Sequence, residues 1–279
     1  MNPHNNKTMQ IRSNYFPMQS QMYAQIPEDI PCTPFAADVG SLTHKGAKKY
    51  FYVPNHKLVD FWRSAGNLNA YEIIRENAPA RVALDIDGTA AAFGEINVQN
   101  ELSTGRLCKA IVEFLENKFA MFGQACKNIV VETSHSSSKF SYHIRMMDVT
   151  VANFASLKNI AKVWNEELRS VCTFLCNDEF DGERLDSATI IDTSVYTKNR
   201  CWRHAGQSKM GTDRLIKSPV DVPDWFVTFG LPVDAHCFDP GVLEDCPPSP
   251  RRQPVIGAPR TITIRPVSQK SQMKAEQML

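Results

Sequence analysis

The stretch Arg81-Val-Ala-Leu-Asp-Ile-Asp-Gly-Thr89 decides the fold of this chain, because an apolar run delivers two carboxylates and then ends at a glycine. Its alternation predicts a β-strand with one apolar face, and Asp85 and Asp87 point together from the other face. Two like charges this close on a buried strand repel each other and are costly to desolvate unless a cation or a proton lies between them. The stretch therefore predicts such a site at a strand end, although an Asp-Gly pair is also a common turn.

The composition of the 279 residues is typical of a folded intracellular protein. With 43% hydrophobic residues, the chain can bury the core of one large domain or two small ones. A net charge of +1 gives no overall field, so contacts with nucleic acid must come from local patches. The sequence has no secretory signal and no membrane-spanning apolar run, and its eight cysteines include no Cys-x-x-Cys pair. We expect a soluble protein with reduced thiols, located in the cytoplasm or nucleus, or in a host cell if the protein is viral.

Composition also divides the chain into three regions. Residues 1–35 are rich in Asn, Gln, Met and Pro without sustained periodicity, which predicts a disordered arm. Residues 36–230 carry the periodic patterns of a folded domain. Residues 231–279 combine many prolines with an excess of basic residues. They predict a flexible tail that either adds salt-dependent affinity for a nucleic-acid backbone or keeps the chain soluble.

The periodicity within the folded region predicts alternating strands and helices. Besides the central strand, the predicted strands lie before Pro54, at 128–131, at 140–147 and at 190–192, and the predicted helices lie near 58–62, near 71–74, from 103 or 104 to 122, and at 154–171. Residues 90–100 are predicted to form a loop. This order suits an α+β sheet with helices on one face, as in the split βαβ arrangement.

Three groups of polar residues carry the candidate chemistry. They are Asp85 with Asp87, then Lys139-Phe-Ser141-Tyr-His143, then Asp192 followed by Val195-Tyr-Thr-Lys-Asn-Arg200-Cys-Trp-Arg203 and Lys209. Ser141 and His143 share one face of their predicted strand. Arg200 and Arg203 differ by an odd number of positions, so a straight strand would point them to opposite faces. Either Arg200 lies in the turn before the strand, or only one of the two faces the site.

Together these groups resemble the three motifs of the archaeo-eukaryotic primase superfamily. The third group is most similar to eukaryotic primase-polymerases and to the primases of large DNA viruses, and the resemblance covers about residues 45–215. It implies an α+β catalytic core at 36–230, with an RRM-like antiparallel sheet, packed helices and an N-terminal α/β unit. It also implies template-directed nucleotidyl transfer, which makes or extends primers on single-stranded DNA during replication.

The resemblance assigns a role to each residue of the three groups. Asp85, Asp87 and Asp192 would be the catalytic carboxylates that hold two Mg²⁺ or Mn²⁺ ions, since hard cations prefer carboxylate oxygens. The nucleotide-binding residues would be Lys139, Ser141, His143, Arg200, Arg203 and Lys209. The implied partners are a single-stranded DNA template, an NTP or dNTP, and a replicative helicase or single-strand-binding protein, with no membrane.

Many members of this superfamily carry a zinc-binding segment beyond the catalytic core. The candidate ligands here are His236, Cys237 and Cys246. Three ligands without a fourth make a poor structural zinc site.

Two other functions are consistent with parts of the sequence. The stretch from Leu84 to Thr89 also resembles the first motif of haloacid-dehalogenase-like phosphatases, in which Asp85 would be the nucleophile and Asp87 the general acid and base, with Mg²⁺. That function requires a later Gly-Asp motif, which the chain lacks. A non-catalytic nucleic-acid-binding module with a primase-like fold is the other alternative. The presence of all three carboxylates argues against it.

Overall fold

In the residues that this computed structural model describes, the chain forms two mainly antiparallel sheets and six α-helices. The structure describes residues 15–39, 46–76, 78–121, 126, 128–175, 189–222, 224–231 and 236–238, all within the unit Met1–Glu244. The strands are β1 (Cys32–Asp38), β2 (Lys48–Pro54), β3 (Ala70–Ile74), β4 (Ala80–Thr89), β5 (Ile129–Thr133), β6 (Lys139–Val151), β7 (Arg200–Trp202) and β8 (His236–Phe238). The helices are α1 (Gln19–Tyr23), α2 (Leu58–Ala65), α3 (Ala90–Phe93), α4 (Glu95–Thr104), α5 (Arg106–Met121) and α6 (Leu157–Leu175).

The strands divide between a first sheet with the order β2-β1-β3-β7 and a second sheet with the order β4-β6-β5. All neighbours in both orders are antiparallel, and β8 pairs in parallel with the end of β6. The chain therefore has the predicted α+β class. In the described residues, no helix is long and apolar enough to cross a membrane.

The larger hydrophobic core lies between the second sheet and the long helices. Val82, Leu84 and Ile86 of β4 are almost fully buried in it, as the alternation predicts. Trp164 of α6 meets Phe114 and Phe119 of α5 edge to face, with ring centroids 6.2 and 6.1 Å apart. Asp85 and Asp87 lie on the opposite face of β4 from Val82, Leu84 and Ile86.

Several predicted elements are confirmed, and three are wrong. The strand before Pro54, the helix at 58–62, the central strand, the hairpin β5–β6 and the helices α5 and α6 are present. Residues 71–74 form β3 rather than a helix. This strand lies between β1 and β7 and all its residues are buried, and a short apolar run of this kind does not reveal its period.

The predicted loop at 90–100 is helical. Ala90 to Ala92 are good helix formers and begin α3, and Gly94, with φ at +83°, separates α3 from α4. The predicted strand at 190–192 is also wrong, because in the described residues Ile191 forms an isolated bridge with Ile86 and no ladder.

Part of the predicted disordered arm is folded. Phe16 bridges to Tyr50 of β2, and Met22 of α1 is fully buried against Ala36 and Ile73 on one face of the first sheet. Residues 1–14 lie outside the described residues. In the predicted tail, β8 is a short strand, whereas Cys246 and the positions after 238 lie outside the described residues, as do the side chains of His236 and Cys237.

A closing segment, residues 224–230, is bound by both sheets through buried charged side chains. Glu72 of β3 accepts hydrogen bonds from the backbone N–H groups of Val227 and Thr228 at 2.7 and 2.8 Å. Arg81 of β4 donates to three carbonyls of the segment, the nearest at 2.6 Å. Arg145 of β6 donates to the carbonyl of Phe226 and to Glu132, 2.7 Å away, and neither side chain of this ion pair is exposed. The segment thereby joins the two sheets.

Candidate active site

The register of β4 with β6 brings the first two sequence groups together. Asp85 lies opposite His143 and Asp87 lies opposite Ser141, with Lys139 opposite Thr89 at the strand end. Residues directly opposite in an antiparallel pair have side chains on the same face of the sheet. Both aspartates and the polar residues of the second group therefore share one face.

The carboxylates of this pair have different surroundings. Lys139 Nζ donates to Asp87 Oδ2 at 2.6 Å, whereas His143 Nε2 lies 3.8 Å from Asp85 Oδ1. The Oδ1 atoms of both aspartates are buried and have no hydrogen-bond partner among the described residues. Each aspartate therefore keeps one oxygen available for a further ligand.

His143 does not act as a positive partner for Asp85. Burial, and then the charge of Arg203, lower the pKa of His143 to about 3, so the imidazole is neutral near pH 7. Its ring packs on Trp202 of β7, with centroids 4.7 Å apart. The 3.8 Å contact between His143 and Asp85 is thus a contact of a neutral ring with a carboxyl group rather than an ion pair.

The third group reaches the site through the backbone. The amide of Asp192 donates to the carbonyl of Asp85 at 2.8 Å. Asn165 of α6 holds the preceding residue, Ile191, by accepting from its N–H at 2.7 Å and donating to its carbonyl at 3.0 Å. The side chain of Asp192 accepts from the N–H of Ser194 at 2.8 Å and so caps the 3-10 helix that follows. Asn165 has no counterpart in the three sequence groups, and its position in the middle of a helix gave no signal of this role.

The pKa values of the two aspartates of β4 are shifted in opposite directions. Burial, and then the charges of Asp87 and Asp192, raise the pKa of Asp85 to about 7. Burial also acts to raise the pKa of Asp87, but the ammonium of Lys139 and the hydroxyl of Ser141 lower it below its ordinary value. Asp87 is therefore ionised at neutral pH, whereas Asp85 exchanges its proton in the neutral pH range. The raised pKa of Asp85 agrees with the expectation, drawn from the alternation of β4, that a cation or a proton lies between the two carboxylates.

The charges of the basic residues of the third group act on the same carboxylates. Arg200 begins β7, and Arg203 follows its end with only 7% of its surface exposed. The charge of Arg200 acts on Asp85, and the charges of Arg203 and Lys209 interact with Asp85 and Asp87. The prediction that Arg200 lies in the turn before the strand is wrong, since Arg200 is the first residue of β7. Arg203 lies beyond the end of β7, so the two arginines do not belong to one straight strand.

The register of β4 with β6, the backbone bond of Asp192 and these charge interactions therefore bring the three sequence groups into the same region. The donor set fits a hard divalent cation, since two buried carboxylate oxygens lack partners and the carboxylates repel one another. Asp85 and Asp87 would hold it, together with Asp192. Across the part of the chain that the structure describes, no group of three or more His, Cys, Asp or Glu side chains is already arranged as a metal site.

No protein-family model and no curated protein matches the chain.

Proposed function

We propose that this chain is a nucleotidyltransferase of the primase-polymerase type, which adds nucleotides in the order dictated by a single-stranded DNA template. The observation that carries the proposal is the register that sets Asp85 opposite His143 and Asp87 opposite Ser141, with Asp192 bonded to the same strand. Carboxylates and anion-binding groups thereby share one face. Transfer of a nucleotidyl group requires both.

Each side chain then has a defined task. Asp85, Asp87 and Asp192 would hold two Mg²⁺ or Mn²⁺ ions, which would supply the positive charge that nucleotidyl transfer requires. Lys139, Arg200, Arg203 and Lys209 bind the triphosphate, and Ser141 and the neutral His143 complete the nucleotide site. The Nε and Nη1 atoms of Arg203 are buried and have no partner among the described residues, which leaves them free to donate to an anion.

We also propose the finer fold that the resemblance implies. The second sheet, with α5 and α6 on one face, corresponds to an RRM-like catalytic core, and the first sheet with α1 and α2 corresponds to the N-terminal unit. The partners would be single-stranded DNA, an NTP or dNTP, and a replicative helicase or single-strand-binding protein inside the cell.

The direct test is nucleotide incorporation by the purified chain with Mg²⁺ or Mn²⁺ on primed and unprimed single-stranded DNA. We expect Asp87→Ala to abolish incorporation while the circular-dichroism spectrum stays unchanged. Asp60→Ala, which removes an exposed carboxylate of α2, is the matched control and should remain active. Normal incorporation by Asp87→Ala would refute the site.

The same preparations test the two alternatives. A phosphatase with Asp85 as nucleophile would release phosphate from a generic ester and would lose this activity in Asp85→Asn. A non-catalytic module would bind single-stranded DNA without incorporating nucleotides under any metal condition.

A further inference from the structure

One backbone hydrogen bond of the β5–β6 hairpin is replaced by a bond to a side chain. Ser136 and Lys139 exchange two backbone bonds across the hairpin, so the next pair that should do so is Ser134 with Ser141. The N–H of Ser134 does donate to the carbonyl of Ser141, at 3.0 Å. The N–H of Ser141 instead donates to Nδ1 of His135, also at 3.0 Å. The imidazole therefore takes the place of a ladder carbonyl.

The carbonyl of Ser134 is consequently free to bind another group, and it binds an arginine. Arg214 Nη1 donates to it at 3.3 Å, and the hydroxyl of Ser134 donates to the carbonyl of Arg214 at 3.4 Å. Thr133 and Lys217 then exchange two backbone bonds, at 3.0 and 2.8 Å. The segment that follows Lys209 is thereby attached to the end of β5.

His135 has the protonation state that this bond requires. Nδ1 accepts a hydrogen bond, so it carries no proton, and burial followed by the charge of Lys217 lowers the pKa of the ring. The ring lies edge to face on Tyr142, with centroids 4.8 Å apart at 81°. His135 is therefore a neutral acceptor with a fixed orientation.

The joined segments lie next to cations of the candidate site. Lys139 belongs to the hairpin, whereas Arg203 and Lys209 lie in the stretch that leads directly into the attached segment. The charge of Arg214 acts on Arg203, and no acidic side chain among the described residues forms an ion pair with Arg214. A bound anion would stabilise positive charges that repel one another, as those of Arg203 and Arg214 do.

We propose that His135 is a positioning residue for the anion site. By accepting the N–H of Ser141, it releases the carbonyl of Ser134 for Arg214 and so fixes the two cation-bearing segments against each other. The bond itself is a property of the fold. The ligand, the triphosphate group of a nucleotide, rests on the proposed function.

Two variants separate the acceptor atom from the bulk of the ring. His135→Phe keeps a ring and removes the acceptor. His135→Asn removes the ring and places an acceptor oxygen near the position of Nδ1. We expect amide hydrogen exchange at Ser141 to be about fivefold faster in His135→Phe and close to wild type in His135→Asn, since one lost hydrogen bond is worth about 1 kcal/mol. His135→Ala serves as the acceptor-free variant if the phenylalanine does not fit. His56→Ala, at an exposed histidine, is the control.

Calorimetric titration of the full chain with ATP and with dATP measures the ligand half of the proposal. We expect affinity to fall about 5- to 10-fold in His135→Phe and to return in His135→Asn. Unchanged amide exchange at Ser141 in the acceptor-free variants would contradict the hydrogen bond from Ser141 to His135. Faster exchange with unchanged affinity for ATP and dATP would contradict the positioning role of His135. If wild-type protein bound neither nucleotide, the proposed function would fail and the triphosphate assignment with it, while the exchange result would still decide the role of the bond.

Discussion

The backbone amide of Asp192 donates a hydrogen bond to the backbone carbonyl of Asp85 over 2.8 Å. This bond brings the third sequence group to the strand that carries the first, independently of where the Asp192 side chain points. Because the carboxylates are then close, the charge of Asp192 contributes to the raised pKa of Asp85. The candidate site is thus assembled by the backbone and is electrostatically strained without a bound cation.

The strain predicts a pH-dependent gain of stability in Asp85→Asn. The pKa of Asp85 is about 7 in the folded chain and near 3.8 when unfolded, so the folded state binds the proton more tightly. The stability that this proton provides is present at low pH and is lost as pH rises through the window from about 4 to 7. With EDTA present, Asp85→Asn should gain about 2–3 kcal/mol relative to wild type between pH 5 and pH 8 in urea unfolding. Asp60→Asn should show no such change, and an equal response of both variants would contradict the raised pKa.

A bound divalent cation should relieve the repulsion among the carboxylates of Asp85, Asp87 and Asp192. A cation that binds the folded chain alone stabilises it by about 2.7 kcal/mol at a hundred times its dissociation constant. We expect Mn²⁺ to raise the melting temperature of wild type and of Asp60→Ala, and to leave Asp87→Ala nearly unchanged. Thermal denaturation with and without Mn²⁺ makes the comparison. A shift of the same size in Asp87→Ala would show that the cation binds elsewhere.

The buried ion pair of Arg145 with Glu132 should be costly to break. Both side chains are fully buried, so Glu132→Ala leaves an arginine charge unpaired in the interior. We expect a loss of about 3–5 kcal/mol in the free energy of unfolding. Glu166→Ala is the matched control, since Glu166 pairs with Arg169 while 70% exposed, and it should cost less than about 1 kcal/mol. Similar losses in the two variants would contradict the assignment.

Gly88 is required by the close approach of Phe140. A Cβ at position 88 would lie 1.9 Å from the Phe140 ring, so the ring or the strand must move. We expect Gly88→Ala to lower the free energy of unfolding by about 1–3 kcal/mol. The double variant Gly88→Ala with Phe140→Leu should lose less than the sum of the two single changes, as measured in a double-mutant cycle. Strict additivity would argue against the clash.

The parts of the fold that the sequence predicts are those with strong local patterns. The alternation from Arg81 to Thr89 predicts β4 and the shared face of its aspartates, and both are observed. The register of β4 with β6 follows from which faces are buried, because a slip by one residue would turn both aspartates into the core. Local pattern and tertiary packing agree at these positions.

The remainder depends on tertiary contacts that no local pattern encodes. Residues 71–74 become a strand because β1 and β7 flank them. Asn165 bonds to the backbone of Ile191, and His135 accepts from the N–H of Ser141 across the hairpin. A single polar residue in a helix or a loop gives no local pattern from which such a partner could be predicted. Arg145 is similar, since only the folded chain shows that its partner Glu132 is equally buried.

The most direct test of the central claim is single-nucleotide incorporation on four primed templates that differ only in the first unpaired base. With Mn²⁺, we predict that wild type and Asp60→Ala add only the complementary nucleotide to each template, and that Asp87→Ala adds none. Addition without regard to the template base, or undiminished addition by Asp87→Ala, would contradict the account.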